Sequence, residues 1–286
     1  MLKTFRILLW MFVGICSYAS GQTIQGTIID EKTGKSIPYA NIILEGENNR
    51  TIASRDGKFT LKIPSTNNST QIKVSSLGYE AKIYEVQKVD VGKRHTVKLL
   101  PISFRMDTVS IKIGKQKFNK LGYVKAGGRR TGWGDFESSR GRMRGVLIIN
   151  PEKATKIKSF NFRINDNEWD SVAFRLNFLT VKNHQPDTSI LNEDIIIRSS
   201  KKEKWVSIDL DKYSLTIERE LIVVLEWVDA WGRLGEFSNV LTFSLSKEPG
   251  EVYSKEANEE VASFEKADNA PAMFIEVYAN GAISPR

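Results

Sequence analysis

Between residues 22 and 100 the chain alternates apolar and polar side chains with a period of two, and turn residues interrupt the alternation at short intervals. The clearest runs are 24–28 and 59–63. Because successive side chains of a β-strand point to opposite faces, this alternation predicts strands with one buried and one solvated face. Gly34 and Gly57 lie between such runs, where a turn needs positive φ. About seven short strands of this kind predict an antiparallel β-sandwich.

The same segment carries a longer pattern of glycines, acids and aliphatic residues. In chain order its members are Gly26, Ile28, Asp30, Thr33, Gly34, Ile37, Ala40, Ile42, Thr51, Asp56, Gly57, Phe59, Leu61, Ser76, Leu77, Gly78 and Tyr79. In this order and spacing they resemble the carboxypeptidase regulatory-like domain, with Arg55 as a mild departure beside the Asp-Gly pair. The resemblance implies a seven-stranded, transthyretin-like β-sandwich that performs no hydrolysis. In Gram-negative envelope proteins such a domain often precedes an outer-membrane receptor or another extracytoplasmic module.

After Gly145 the strand pattern returns and continues toward the C-terminus, most clearly at 172–181, and no stretch has the pattern of a long helix. We therefore predict an all-β chain of two sandwiches. The regulatory-like domain occupies 22–102 and a jelly-roll-like domain occupies 145–286. A connector and a Gly/Arg-rich loop at 103–144 join them.

The Gly/Arg-rich segment allows two interpretations. One is an irregular loop that packs Trp133 and leaves its cations on the surface. The other is a site for an anionic ligand, because guanidinium groups bind planar anions and an indole ring stacks on a sugar or a guanidinium. A phosphate-binding loop and a complete dinucleotide fingerprint are both missing from the sequence. The arginines concerned are Arg129, Arg130, Arg140, Arg142 and Arg144.

The first residues have the layout of a secretory signal peptide. Lys3 and Arg6 precede an apolar run at 7–18, and small residues suit cleavage before Gln22. The run is shorter than the ~20 residues of a membrane-spanning helix. We therefore predict a signal peptide at 1–21 and no transmembrane helix after its removal.

Cys16 is the only cysteine, so removal of the signal leaves no disulfide, thiol nucleophile or cysteine-ligated metal. Exported eukaryotic proteins often carry disulfides, so this composition fits the periplasm or outer surface of a Gram-negative bacterium better. Ile15 before Cys16 disfavours lipid attachment, which stays an alternative. The net charge of +8 is scattered along the chain, and export argues against nucleic acid as a partner.

Residues suited to catalysis or metal binding are sparse. His95 and His184 belong to different predicted domains and have no second ligand at zinc spacing. Asp30 and Asp56 lie at turn signals, where we expect their carboxylates to accept backbone hydrogen bonds. No metal or cofactor is predicted.

Two pairs of carboxylates are the remaining candidates for catalysis of hydrolysis. Asp209 and Asp211 border a strand end, where a turn role is expected. Glu226 and Asp229 form the second pair; Glu226 lies inside an apolar strand, next to Trp227, and we expect it on the solvated face of that strand. If the chain were an enzyme, Glu226 would be the candidate for an acid of raised pKa.

Aromatic residues give the main binding candidates. We expect Trp169, Trp205 and Trp227 in the core or at the ends of a sandwich, and Trp231 exposed in a glycine-flanked loop. The predicted ligand-binding residues are Trp231, Trp133, Arg129, Arg130 and Arg142.

The sequence therefore predicts a non-catalytic envelope protein that binds a glycan or an envelope protein partner. A hydrolase acting on envelope polymers through carboxylates of the C-terminal domain is the alternative, and a structural spacer is the second alternative. Exposed aromatic rings on one face would indicate binding, whereas two carboxylates converging in a cleft would indicate hydrolysis.

Overall fold

The computed structural model describes residues 22–46, 49–63, 69–87, 92–102, 117–133, 136–152, 154–202, 204–232, 241–256 and 265–279. The predicted signal peptide, with Cys16, lies outside these residues. Nearly all regular structure in the described part is β, so the all-β prediction is confirmed. No helix among the described residues is both long enough and apolar enough to cross a membrane.

Seven strands form the N-terminal domain. They are β1 (Gln22–Asp30), β2 (Asn41–Leu44), β3 (Asn49–Ile52), β4 (Lys58–Ile63), β5 (Ser69–Ser75), β6 (Lys82–Gln87) and β7 (Arg94–Leu99). One sheet has the order β4-β1-β7, with β1 antiparallel to β4 and parallel to β7, and the other has the order β3-β2-β5-β6. Ile24 and Phe59 of the first sheet share one buried cluster with Ile42 and Ile72 of the second. The domain is therefore a two-layer sandwich with the predicted number of strands.

The described part of the C-terminal domain contains a 3₁₀ turn at Asp211–Tyr213, fourteen strands and one short α-helix, and the strands and the α-helix are named here in chain order. They are β8 (Phe118–Gly122), β9 (Ala126–Trp133), α1 (Phe136–Ser139), β10 (Met143–Ile149), β11 (Thr155–Asn167), β12 (Ser171–Lys182), β13 (Gln185–Ser189), β14 (Ile195–Ser200), β15 (Trp205–Asp209), β16 (Thr216–Ile217), β17 (Glu220–Trp231), β18 (Leu241–Ser246), β19 (Glu251–Lys255), β20 (Glu265–Asp268) and β21 (Met273–Tyr278).

These strands form two seven-stranded antiparallel sheets that face each other. Sheet A has the order β13-β12-β17-β10-β19-β20, with β14 also paired to β12. Sheet B has the order β8-β21-β11-β18-β9, with β15 and β16 also paired to β11. Phe174 and Trp227 of sheet A and Phe160, Phe162 and Phe243 of sheet B belong to one buried cluster. This two-layer arrangement agrees with the predicted second sandwich.

The Gly/Arg-rich segment is not an irregular loop over residues 118–133. β8 pairs with β21 and β9 pairs with β18, so both strands belong to sheet B. They lie at the two ends of the strand order. Glycine and charged residues are depleted in strands, which is why the sequence pattern suggested a loop. Edge strands accept such residues, since charged side chains there oppose pairing with other chains. Residues 103–116 of the predicted connector lie outside the described residues.

Apolar contacts join the two sandwiches. Tyr39 and Ile52 of the N-terminal domain share a buried cluster with Ala173 and Val228 on sheet A. The Tyr39 hydroxyl also donates to Oδ2 of Asp229 at 3.3 Å. The N-terminal domain therefore covers part of the outer face of sheet A.

Two arginines add reciprocal hydrogen bonds across this junction. Arg50 Nη2 donates to the carbonyl oxygen of Gly141 at 3.0 Å. In the opposite direction, Arg140 Nη2 donates to the carbonyl oxygen of Ala53 at 3.0 Å. Both acceptors are backbone carbonyl oxygens, so these hydrogen bonds between the domains need no particular side chain at Gly141 or Ala53.

Candidate functional site

The two tryptophans predicted to bind a ligand are not fully exposed to solvent. Trp133 is only 2% exposed and stacks on Trp227 inside the core, with ring centroids 5.7 Å apart. Its role as a surface ligand-binding residue was therefore a wrong prediction, because it lies on the inner face of β9. Trp231 is the last residue of β17, not part of a loop, and it is partly buried. The Arg198 guanidinium lies 5.8 Å from its ring centroid.

The predicted arginines have separate partners. Arg130 forms an ion pair with Asp166 at 2.9 Å. Arg142 forms an ion pair with Glu256 at 2.5 Å. Arg129 is exposed on β9. Arg129 and Arg130 are neighbours on β9, whereas Arg142 precedes β10 and Trp231 ends β17, so the structure does not assemble these residues into one site.

Glu226 is buried at the domain junction, which corrects the expectation of a solvated position. It is 3% exposed, and its Oε2 lies 2.6 Å from Nη1 of Arg175. Arg175 Nε lies 3.2 Å from Oδ1 of Asp194, and its Nη2 donates to the Tyr39 carbonyl oxygen. Burial raises the pKa of the Asp194 carboxyl, and the Arg175 charge only partly opposes this effect. We call Arg175, Glu226 and Asp194 the junction triad.

The other carboxylates take turn and ion-pair roles. Asp30 Oδ1 accepts two backbone hydrogen bonds of 2.8 Å from the turn that follows it, as predicted. Asp209 Oδ1 accepts the backbone N–H of Asp211 at 2.9 Å, and Lys158 Nζ donates to both carboxylates. In the described part of the chain, no three His, Cys, Asp or Glu side chains are grouped to hold a metal ion.

The outer face of sheet B presents aromatic and hydrogen-bonding side chains together. Along β8, β21, β11 and β15, alternate residues such as Phe160, Val206 and Ile275 point into the core, so their neighbours point outward. The outward residues are Phe118, Lys120, Ser159, Asn161, Arg163, Trp205, Ser207, Asp209, Phe274, Glu276 and Tyr278. We call this surface the sheet B face.

Polar side chains occupy the centre of the sheet B face. The strand register places Asn161 opposite Phe274 and Ser159 opposite Glu276. Asn161 Nδ2 donates to Ser159 Oγ at 3.0 Å, and Ser159 Oγ donates to Glu276 Oε2 at 2.9 Å. Lys120 Nζ lies 3.7 Å from Glu276 Oε1. This network holds an amide, a hydroxyl, a carboxylate and an ammonium in fixed positions, with Ser159 and Asn161 largely covered by their neighbours.

Exposed aromatic rings lie on both sides of this polar centre. Trp205 is 43% exposed and meets Phe274 edge to face, with ring centroids 5.6 Å apart. Phe118 is 40% exposed and meets Tyr278 edge to face at 5.2 Å. The ring of Phe274 also carries Lys120 Nζ 5.0 Å from its centroid. Each exposed ring is thus supported by a buried one, which limits the conformations it can adopt.

Tyr278 connects the face to the acidic turn at the end of β15. Its hydroxyl donates to Asp211 Oδ1 at 2.6 Å. Burial, and then this hydrogen bond, raise the pKa of Tyr278 to about 12. The phenol therefore stays protonated at neutral pH and keeps its role as a donor.

Sequence reasoning missed Trp205, which was expected in the core or at a sandwich end. The signal that identifies it is the alternation of residues 205–209. Trp205 shares its strand face with Ser207 and Asp209, which are polar and exposed, whereas Val206 on the other face is buried. A tryptophan in register with exposed polar residues is an outward tryptophan.

Comparison with known proteins identifies the N-terminal domain. Residues 24–119 match the family model described as CarboxypepD_reg-like domain, so the N-terminal sandwich is a carboxypeptidase regulatory-like domain. No curated protein matches the chain.

One similar solved structure is the crystal structure of the cysteine protease and lectin-like domains of Cwp84, a surface layer associated protein of Clostridium difficile. The TM-score is 0.36 and the identity 12%, over 91% of this chain and 59% of that chain. A likeness of this degree carries no argument about function.

Proposed function

We propose that this chain is an exported, non-catalytic binding protein of the bacterial envelope whose ligand is a glycan on the sheet B face. The observation that carries the proposal is the exposed ring of Trp205 beside a fixed network of hydrogen-bonding groups. A pyranose ring has an apolar C–H face that packs on an aromatic ring and hydroxyl groups that need both donors and acceptors. The sheet B face offers both kinds of contact on one surface.

The dimensions of the face favour a chain of sugars over a single sugar. Trp205 pairs with Arg163, whose backbone N–H donates to Ala272, and Phe118 pairs with Tyr278. Ala272 directly precedes β21 and Tyr278 ends this strand six positions later, which corresponds to about 20 Å of extended chain. A ligand that contacts both exposed rings must therefore span several sugar units.

The surroundings of the carboxylates support a non-catalytic role. Glu226 and Asp194 both face Arg175, and Asp209 and Asp211 both accept hydrogen bonds from Lys158. A glycosidase needs one carboxyl group that can donate a proton and one that is free to attack or to activate water. Carboxylates held by cations are poor candidates for either task.

The proposed location rests on the sequence. The predicted signal peptide, the cysteine-free mature chain and the regulatory-like domain together suit the periplasm or outer surface of a Gram-negative bacterium. The glycan would then be an envelope polysaccharide or the glycan of a neighbouring surface protein.

A screen of the purified mature chain on glycan arrays and envelope polysaccharides tests the proposal. We expect saturable binding, and we expect Trp205→Ala to weaken it at least tenfold because a few aromatic side chains contribute most of the binding energy of such interfaces. Trp205 is 43% exposed, so its replacement creates no core cavity and leaves the fold intact.

Trp231→Ala is the matched control, since this tryptophan lies at the end of β17 and not on the sheet B face. The proposal predicts unchanged binding for this variant. Loss of binding in Trp231→Ala alone would indicate that the glycan binds near the end of β17 and not on the sheet B face. No saturable binding to any glycan would overturn the glycan proposal and favour a protein ligand or a spacer.

A further inference from the structure

A second surface, distinct from the sheet B face, lies between the two sandwiches. It is a cleft of about 490 Å³ with walls from both domains. Ile37 and Leu77 line it from the N-terminal side, and Ile190 and Leu215 line it from the C-terminal side. Ile102 is 42% exposed at its edge. The cleft therefore combines aliphatic residues from both domains with polar residues such as Ser36 and Asn192.

Contacts between the two domains close the base of the cleft. Ser76 Oγ lies 3.4 Å from Asp194 Oδ2, which joins the two domains there. Gly78 has a φ of +86°, and a Cβ on it would lie 3.0 Å from the Asn192 carbonyl oxygen. The two loops therefore touch closely at this point, beside the cleft.

The charge of the cleft is opposite to that of the chain. Glu193 and Asp194 are the charged residues among the described residues that line it, whereas the whole chain has a net charge of +8. Asp194 belongs to the junction triad, where the Arg175 guanidinium already faces it. Glu193 is exposed, and its carboxylate is the acidic group of the cleft that a ligand can reach. A cationic group is the complement of this cleft.

A free strand edge borders the cleft. β14 pairs with β12 along one side, and in the described part of the chain no strand pairs with its other side. Ile196 of this strand lines the cleft. Unpaired backbone N–H and C=O groups on such an edge can bind an extended peptide as an additional strand.

We propose that this cleft binds an extended segment of a partner protein that carries a lysine or arginine next to an apolar side chain. The apolar side chain contacts the aliphatic walls. The long stem of the basic residue lies along the same walls while its charged end reaches Glu193, a division that such amphipathic side chains favour. The peptide backbone pairs with the free edge of β14. A saccharide fits less well, because the aliphatic residues of the walls need an apolar partner.

Selection from a random peptide library displayed on phage, against the whole mature chain, tests the proposal. We expect enrichment of peptides in which Lys or Arg alternates with apolar residues. Synthetic copies of the enriched peptides are then titrated by fluorescence anisotropy. We expect Glu193→Lys to weaken their binding about tenfold, in line with a reversed charge at an interface, and Ile102→Ser to weaken it to a smaller degree.

Glu152→Lys is the control, because Glu152 is exposed outside the cleft and its replacement changes the net charge by the same amount. The proposal predicts that this variant binds like the wild type. Equal weakening in Glu193→Lys and Glu152→Lys would reduce the effect to net charge and overturn the proposal, as would a selection with no preference for basic over acidic residues. Trp205→Ala should leave peptide binding unchanged, so failure of this proposal and failure of the glycan proposal are distinguishable.

Discussion

Glu226 and Arg175 meet at 2.6 Å where the N-terminal sandwich covers sheet A. Loss of one partner from a buried ion pair leaves the other charge uncompensated, and Asp194 can replace Glu226 only in part. We expect Glu226→Ala to lower the free energy of unfolding by about 3 kcal/mol, measured by urea denaturation. Arg130→Ala breaks the exposed pair with Asp166 and should cost less than about 1 kcal/mol. Similar losses in the two variants would contradict the assignment of a buried pair.

Asp209 gives a prediction about pH. Hydrogen bonds from Lys158, and then from the Asp211 backbone, lower its carboxyl pKa. The folded state therefore releases this proton at a lower pH than the unfolded chain. The resulting stability is fully present above the unfolded value of about 3.9 and is lost as pH falls through the lower folded pKa.

The measurement is an NMR titration of the Asp209 carboxyl carbon. We expect a midpoint below about 3.9 in the wild type and a higher midpoint in Lys158→Met, which removes the main donor. The same midpoint in both proteins would show that Lys158 does not control this carboxylate.

Residues with local partners were predictable from the sequence, whereas residues with distant partners were not. Asp30 bonds the turn that follows it, and its position at a turn signal was sufficient to indicate this. Glu226 lies in a strand whose residues are buried on both faces, because another domain covers its outer face. A period-two pattern describes one strand and contains no information about such a cover.

At the scale of the element, β1 depends on a glycine for its packing. A Cβ on Gly26 would lie 2.5 Å from the His95 carbonyl oxygen and 2.7 Å from the ring of Phe59. At Gly34, by contrast, a Cβ would meet nothing within 4 Å, although φ is +69°. We expect Gly26→Ala to destabilise the N-terminal domain by about 2–3 kcal/mol through overpacking. Gly34→Ala should cost about 1 kcal/mol through backbone strain.

Far-UV circular dichroism during urea unfolding measures both changes. Apart from Trp10, every tryptophan lies in the C-terminal domain, so tryptophan fluorescence separately reports that domain. A larger loss in Gly34→Ala than in Gly26→Ala would contradict the packing described for β1.

β9 illustrates how an edge strand is protected. It ends the order of sheet B and exposes Arg129 and Arg130. Charged residues on an edge oppose pairing with a second molecule. We therefore expect the double variant Arg129→Val, Arg130→Val to self-associate. In sedimentation velocity it should form larger species than the wild type does at the same concentration. Unchanged sedimentation would show that these arginines do not protect the edge.

Strands with strict alternation, such as β4, were predictable, and β8 and β9 were not. In β4 the buried and exposed residues alternate without exception. In β9, glycines and arginines hide the alternation, and pairing with β18 makes the segment a strand. Trp205 on β15 was a comparable case, since its direction follows from the register of its neighbours and not from its residue type.

At the scale of the molecule, the two sandwiches form one docked pair with two separate surfaces. The N-terminal domain covers part of sheet A, and the cleft lies at that junction, while the sheet B face is on the opposite side of the C-terminal core. The sequence predicted two sandwiches and the family of the first. Their docking depends on contacts such as Arg140 to Ala53, between residues far apart in sequence, which no local pattern reveals.

The assignment of the glycan to the sheet B face can be tested by hydrogen exchange of the mature chain, with and without a glycan selected by the array. We expect the bound glycan to slow exchange in β8 and β15, at residues 118–122 and 205–209, and to leave exchange in β9 unchanged. Protection confined to β9 or to the end of β17, where the sequence had placed the binding residues, would contradict the assignment of the ligand to the sheet B face.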